Sequence, residues 1–382
     1  MKEGKNDESI IAYLKPLAYN TSYTSLEPRC HSATTSDKHA IYSFGLSSPT
    51  NHSNYVYKWE LDKDGKQTYK MLYEIPMLNC QPQRGTLSLM PNGNLIYLGE
   101  KSPQNMYCVQ FLAIHFNIKF KTDPLIINIS NQVRMEPVQH FITITYFDPL
   151  KERHVLLMHG GHQMHQLAVS DEMYCYDPLE REFTLHARTG ITLYNHIGFL
   201  YNRHSIIMMS GVDDNMDINN VTYLYDIPTN TFERIETFGK QPFDIDAQSS
   251  TVVHDDYLYC YALNNDNESS SSSESDDEDI AYSEFCGLFR LHIPTKMWCE
   301  LQLIGPPPPF PRIGHSLCFI QHPYTKMDTL ISLFGFSLCS NSPIEHDEVH
   351  YSIELPHCTI TESFQSNLQN NIVFQDCIIE FS

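Results

Sequence analysis

Positive charge is scarce: 25 Lys and Arg stand against 46 Asp and Glu, a formal net charge of −21 over 382 residues. A chain this acidic repels a phosphate backbone and an anionic leaflet, which excludes generic nucleic-acid or membrane-surface binding. Long apolar runs are missing as well. No stretch approaches the roughly 18 residues of a membrane-spanning helix. The opening residues, Met1 to Glu8, hold no apolar signal-peptide centre, so the expected compartment is the cytoplasm. The 11 cysteines run from Cys30 to Cys377 without one Cys-x-x-Cys pair. That argues against a disulfide framework or a zinc site and for reduced, mostly buried thiols. A glycine-rich phosphate loop and a nucleophile elbow are both absent from the sequence.

What is present favours strands. Apolar residues make up 41% and aromatics 12%, with 23 Tyr and 20 Phe, while charged residues reach only 19%. A short β-rich run ending in Gly or another small residue returns six times. It reads Ala40-Ile-Tyr-Ser-Phe-Gly45, Leu95-Ile-Tyr-Leu-Gly99, Val155-Leu-Leu-Met-His-Gly160, Ser205-Ile-Ile-Met-Met-Ser-Gly211, Tyr257-Leu-Tyr-Cys-Tyr-Ala262 and Thr329-Leu-Ile-Ser-Leu-Phe-Gly335. The terminal small residues are 54, 61, 51, 51 and 73 apart. Downstream, Tyr176 and Phe183, Tyr225 and Phe232, and Leu291 and Trp298 are each seven residues apart across a proline turn. Each unit therefore reads as four short strands, a to d. The b strand is continuously apolar because both its faces are buried, and the seven-residue step carries an aromatic toward the neighbouring unit. Met106 to Asn128 lacks a clean hairpin signal. Six units of about 50 residues and four strands is the arithmetic of a β-propeller.

The buried strand ending in Gly160-Gly161, the following Tyr174-Cys-Tyr176 and the aromatic near the unit's end resemble the kelch repeat. The resemblance spans roughly residues 26 to 360. It implies an all-β, six-bladed propeller of four-stranded antiparallel blades whose faces bind other proteins. The expected blades are about 28–78, 82–130, 138–187, 194–238, 246–303 and 311–360. Residues 1–25 form an N-terminal segment, partly disordered or contributing a strand, and 361–382 a C-terminal one. Either Ile10 to Leu17 or Ile372 to Phe381 completes the last blade, and the C-terminal segment is favoured.

In such blades the b–c and d–a connections share one face. The b–c segments of units three to six run from Gly161 to Glu172, Val212 to Asn220, Leu263 to Glu284 and Phe336 to Glu348. They hold sixteen Asp and Glu and no Lys or Arg. Such segregation points to a negative sector formed by Asp171, Glu172, Asp213, Asp214, Asp217, Glu345, Asp347 and Glu348. Its functional reading is a landing site for a basic segment of a protein partner; its plain reading is solubility. The segment 264–279, rich in Ser, Asp and Glu, has almost no apolar content and is expected to be disordered. Within it Ser271, Ser273 and Ser275 each precede an acid by three residues, which is similar to the sites of acid-directed serine kinases. Phosphorylation would add roughly −2 per site. The other reading is a solvated insertion.

Other patterns point less far. His159-Gly-Gly-His162-Gln-Met-His165 has ligand-like spacing but no interleaved carboxylate or Cys. His31, His140, His196 and His315 recur at equivalent positions, as repeat-structural hydrogen bonders would. Asp213-x-Asn215-x-Asp217-x-Asn219 alternates oxygen ligands, yet Ile218 and Leu224 replace the Gly and Glu of an EF-hand loop. Pro306 to Pro309 and Pro311 form a polyproline connector between units five and six. The expectation is a non-catalytic protein-binding module or scaffold with no cofactor or metal. Two alternatives stand beside it. One is the substrate-recognition subunit of a ubiquitin ligase, against which the 25 or so residues before unit one are too short for a recruitment domain. The other is a small-molecule or carbohydrate-active propeller enzyme.

Overall fold

The computed structural model describes residues 11–16, 33–48, 51–64, 66–75, 85–101, 110–130, 132, 138–163, 168–242, 251–263, 286–304, 312–337 and 351–355. Among these the chain is all strand and turn, without a helix, and so has none long and apolar enough to cross a membrane. Four-stranded antiparallel sheets follow one another along the chain. The first holds Ala33–Ser36, Ile41–Ser48, Asn51–Leu61 and Gln67–Glu74. The second holds Thr86–Leu89, Asn94–Lys101, Gln110–Asn117 and Leu125–Asn128, so the Met106 to Asn128 region does contain a hairpin. The third is Ile142–Asp148, Arg153–His159, Glu172–Asp177 and Glu182–Arg188. The fourth is Ile197–Leu200, Ser205–Met209, Thr222–Asp226 and Thr231–Ile235.

The fifth sheet, Thr251–His254, Tyr257–Leu263, Cys286–His292 and Met297–Ile304, is joined to a sixth. That sixth sheet comprises Arg312–Gln321, Asp328–Ser337, Tyr351–Glu354 and, in fourth place, Ile11–Pro16. The N-terminal strand thus occupies the place for which the C-terminal segment was favoured, and Ile372 to Phe381 lies outside the described residues. Ile11–Pro16 also runs parallel to the end of Met297–Ile304, which covers an otherwise exposed strand edge.

The apolar second strands explain the packing. Successive side chains of a strand point to opposite faces, and here each face meets a different neighbour. Leu95 and Tyr97 join Phe44 and Val56 of the first sheet, whereas Ile96 and Leu98 join Leu156 and Tyr176 of the third. Ile206 and Met208 pack on Ile144 and Leu157, and Ile207 and Met209 on Leu258 and Phe289. Tyr259 and Leu288 face Leu317 and Leu330, and Cys318 and Ile331 face Ile41 and Trp59. Each sheet therefore shares a core with the next, and the sixth also shares one with the first. This is a propeller-like, all-β arrangement.

The seven-residue steps are cross-strand partners: Tyr176 opposes Phe183, Tyr225 opposes Phe232 and Leu291 opposes Trp298. Phe183 and Trp298 are buried between sheets as expected. Phe232 departs from the expectation at 43% exposure. Its ring reaches over Gly190, which has no side chain to enclose it.

Gly160 is required by its surroundings. It has φ +70, and a Cβ there would meet the Leu193 carbonyl oxygen at 2.3 Å. The missing side chain lets the link from the third to the fourth sheet pass through. Among the described cysteines, Cys175, Cys260 and Cys318 are buried and unpaired. Burial pushes the Cys175 thiol up to about 11 and that of Cys318 to about 12, so neither supplies a thiolate.

Candidate functional site

The order of strands puts the b–c connections at one edge of each sheet and the a–b and c–d turns at the other. In the third sheet Asp171 and Glu172 lie at the b–c edge. They are not left open. Arg188, at the end of the sheet's last strand, approaches Asp171 Oδ1 at 3.4 Å and pairs with Glu172 Oε1. Glu172 also accepts the Tyr174 hydroxyl, which burial and this carboxylate push well above the ordinary phenol range. The sequence pattern missed this neutralisation because Arg188 belongs to a strand outside the counted loop.

The fourth sheet presents the opposite case. The loop from Val212 closes on itself through a Val212–Ile218 bridge and an Asp213 N–H donated to the Asp217 carbonyl at 3.0 Å. Asp213 Oδ1 accepts the backbone N–H groups of Asn215 (2.9 Å) and Asp217 (3.1 Å). The Asn219 amide turns inward to the carbonyls of Ser210 and Val221. The alternating Asp and Asn run is thereby a locked turn. It leaves Asp214 and Asp217 exposed, without an ion pair among the described residues. Behind the turn, Ser210, Asn219, Gln241 and Trp298 line a small half-open pocket. Glu345, Asp347, Glu348, the segment 264–279 and its Ser271, Ser273 and Ser275 lie outside the described residues.

A buried polar chain underlies the Asp171 edge. His159 ends the second strand of the third sheet, and His196 precedes the first strand of the fourth. Their Nδ1 and Nε2 atoms are 3.1 Å apart with the rings at 86°. His159 Nε2 lies 2.9 Å from Thr189 Oγ1, which is 3.0 Å from the Asp171 carbonyl. That carbonyl can only accept, so the proton order follows. The Thr189 hydroxyl donates to it, His159 Nε2–H donates to Thr189, and His196 Nε2–H donates to His159 Nδ1. Among the described residues His196 Nδ1 is left buried without a partner. Desolvation lowers His159 to about 4, and desolvation followed by the neighbouring His159 lowers His196 well below the ordinary value. Both rings are neutral at pH 7. His162 does not join them: its ring lies against Tyr194, with centroids 5.3 Å apart. His165, His31 and the His315 side chain lie outside the described residues.

No known protein family matches the chain, and no curated protein matches it either.

Proposed function

We propose that the chain is a six-bladed, kelch-like β-propeller acting as a non-catalytic protein-binding module, whose b–c face receives a basic segment of a partner. The observation carrying this reading is the Asp213 to Asp217 turn. It is closed by its own backbone and exposes Asp214 and Asp217, neither of which forms an ion pair with a Lys or Arg among the described residues. Fixed, unneutralised charge on a rigid turn steers a cationic ligand at little cost in ordering. Cyclic sharing of cores between successive sheets, the sixth with the first included, supports the propeller. The acidic segment 264–279 and phosphorylation at Ser271, Ser273 and Ser275 would deepen the same negative field.

The test is association of the full chain with a synthetic Lys- and Arg-rich peptide, followed by stopped flow across salt concentrations. Charge reversal at the exposed Asp214 and Asp217 (D214K/D217K), which leaves the Asp213 carboxylate in place to close the turn, should slow association roughly tenfold at low salt. Reversal of exposed Asp64, on a c–d turn, should leave the rate unchanged. An association rate indifferent to salt, or equal in both variants, would remove the proposal and leave the acidic loops to solubility.

A further inference from the structure

At the other edge of the sheets, a different cluster spans the seam between the fifth and sixth. His254 is the last residue of Thr251–His254, Asp255 follows it in the a–b turn, and Asp328 opens Asp328–Ser337. His254 Nε2 lies 3.3 Å from Asp255 Oδ2 and 3.3 Å from Asp328 Oδ2. The three donor atoms all fall within 4.8 Å of one another.

The two inner groups are held from behind. The His254 ring is stacked on Phe319 of the sixth sheet, with centroids 3.4 Å apart and planes at 14°. Gln321 Nε2 reaches the second oxygen of Asp328 at 3.3 Å, which keeps Oδ2 turned toward His254. Supports of this kind orient ligands at metal centres. Asp255, at 80% side-chain exposure, leaves the outer side open to water.

Charge balance gives the cluster a direction. One imidazole nitrogen carries at most one proton, yet two carboxylate oxygens converge on it. Neither carboxylate has a Lys or Arg ion-pair partner among the described residues. A divalent cation replacing that single proton would balance both carboxylates and use the nitrogen lone pair. One nitrogen and two carboxylate oxygens suit Zn²⁺ better than Ca²⁺, which takes oxygen ligands in larger number.

We propose that His254, Asp255 and Asp328 form a Zn²⁺ site that staples the fifth sheet to the sixth, with water completing the coordination. The staple lies on the opposite edge from the acidic b–c turn and is independent of partner binding there.

Isothermal titration of the full chain with Zn²⁺ alone tests this. One saturable equivalent is expected, accompanied by a higher unfolding midpoint, and Ca²⁺ should give neither. His254→Gln and Asp328→Asn should each weaken that equivalent at least 30-fold. Exposed Asp255→Asn, which has no packing to disturb, should weaken it several-fold with an unchanged metal-free unfolding curve. Absence of a saturable equivalent, or one untouched by Asp255→Asn and His254→Gln, overturns the site and leaves a His–carboxylate contact at the seam.

Discussion

Lowering the pH from 7 to 5 should destabilise the folded chain through the His159–His196 pair. His159 sits near 4 in the folded state, against an ordinary value of 6.5, so the unfolded chain binds protons the folded chain refuses. Stability from this source is complete above about pH 6.5 and is lost as pH falls toward 4. For one such histidine the loss is negligible at pH 7 and about 2 kcal/mol at pH 5. Because the two rings share a hydrogen bond they titrate together, and counting the pair once gives about 2 kcal/mol as a floor. Asp177 does not confuse the window. Burial works against its ionisation, but N–H groups of Glu180 and Leu179 together with Arg153 and Lys151 hold it below the ordinary carboxylate range. Its contribution is lost only at lower pH. The net charge of −21 works in the other sense, since protonating exposed acids relieves repulsion. The decisive quantity is therefore a difference between proteins. Urea unfolding at both pH values can be followed by the fluorescence of buried Trp59 and Trp298. A His159→Gln/His196→Gln variant keeps hydrogen-bonding groups but cannot titrate. Between pH 7 and 5 the wild type should lose about 2 kcal/mol more than the variant. Equal losses would mean that the buried imidazoles do not govern the acid limb.

Other outcomes follow from the same geometry. Gly160→Ala should cost about 2 kcal/mol or more in chemical denaturation, because a positive φ and a carbonyl 2.3 Å from the new Cβ leave it no room. Asp177→Ala removes the buried acceptor of the Leu179 and Glu180 N–H groups and a partner of Lys151 and Arg153, and should cost about 2 kcal/mol by the same assay. Phe183→Ala should cost about 3 to 5 kcal/mol. Phe232→Ala, at the matching place in the fourth sheet but 43% exposed, should cost less than about 1 kcal/mol. Arg188→Ala should change stability by less than about 1 kcal/mol, since Arg188 is 67% exposed. It should nevertheless speed association of the cationic peptide by uncovering Asp171 and Glu172; a slower rate would place Arg188 in the binding surface itself.

The parts of the fold readable from sequence are those fixed by short-range periodicity. A run such as Ser205-Ile-Ile-Met-Met209 has no polar alternation because Ile206 and Met208 enter one core while Ile207 and Met209 enter the next. The seven-residue steps were legible because a tight hairpin fixes the register between its two strands, so Tyr176 must oppose Phe183. Burial of the second aromatic was not legible. It depends on what the preceding link places beneath it, and at Phe232 that is a bare glycine. The choice of closing strand was hidden for a similar reason: both terminal segments are apolar, and pairing with Tyr351–Glu354 is a long-range event with no local signature.

The candidate site divides along the same line. A count of loop charges marks the Asp213 to Asp217 loop as acidic, and its shape is made by its own residues, Asp213 accepting the N–H groups of Asn215 and Asp217. The count did not register Arg188, which pairs with Asp171 and Glu172 from 17 and 16 residues further along the chain, on another strand. His254 and Asp328, 74 residues apart, meet only because neighbouring sheets align their a–b edges, and no spacing rule could join them. Local self-organisation is thus visible in a repeat sequence, while chemistry assembled across the seams is not. A metal bound at the His254 seam would raise the stability of the fifth and sixth sheets without touching the rate at which a cation meets Asp214. A partner bound at Asp214 would do the reverse. Measuring both on one preparation, with Zn²⁺ and the cationic peptide added in either order, should show additive effects; coupling between them would mean that the two edges of these sheets move together.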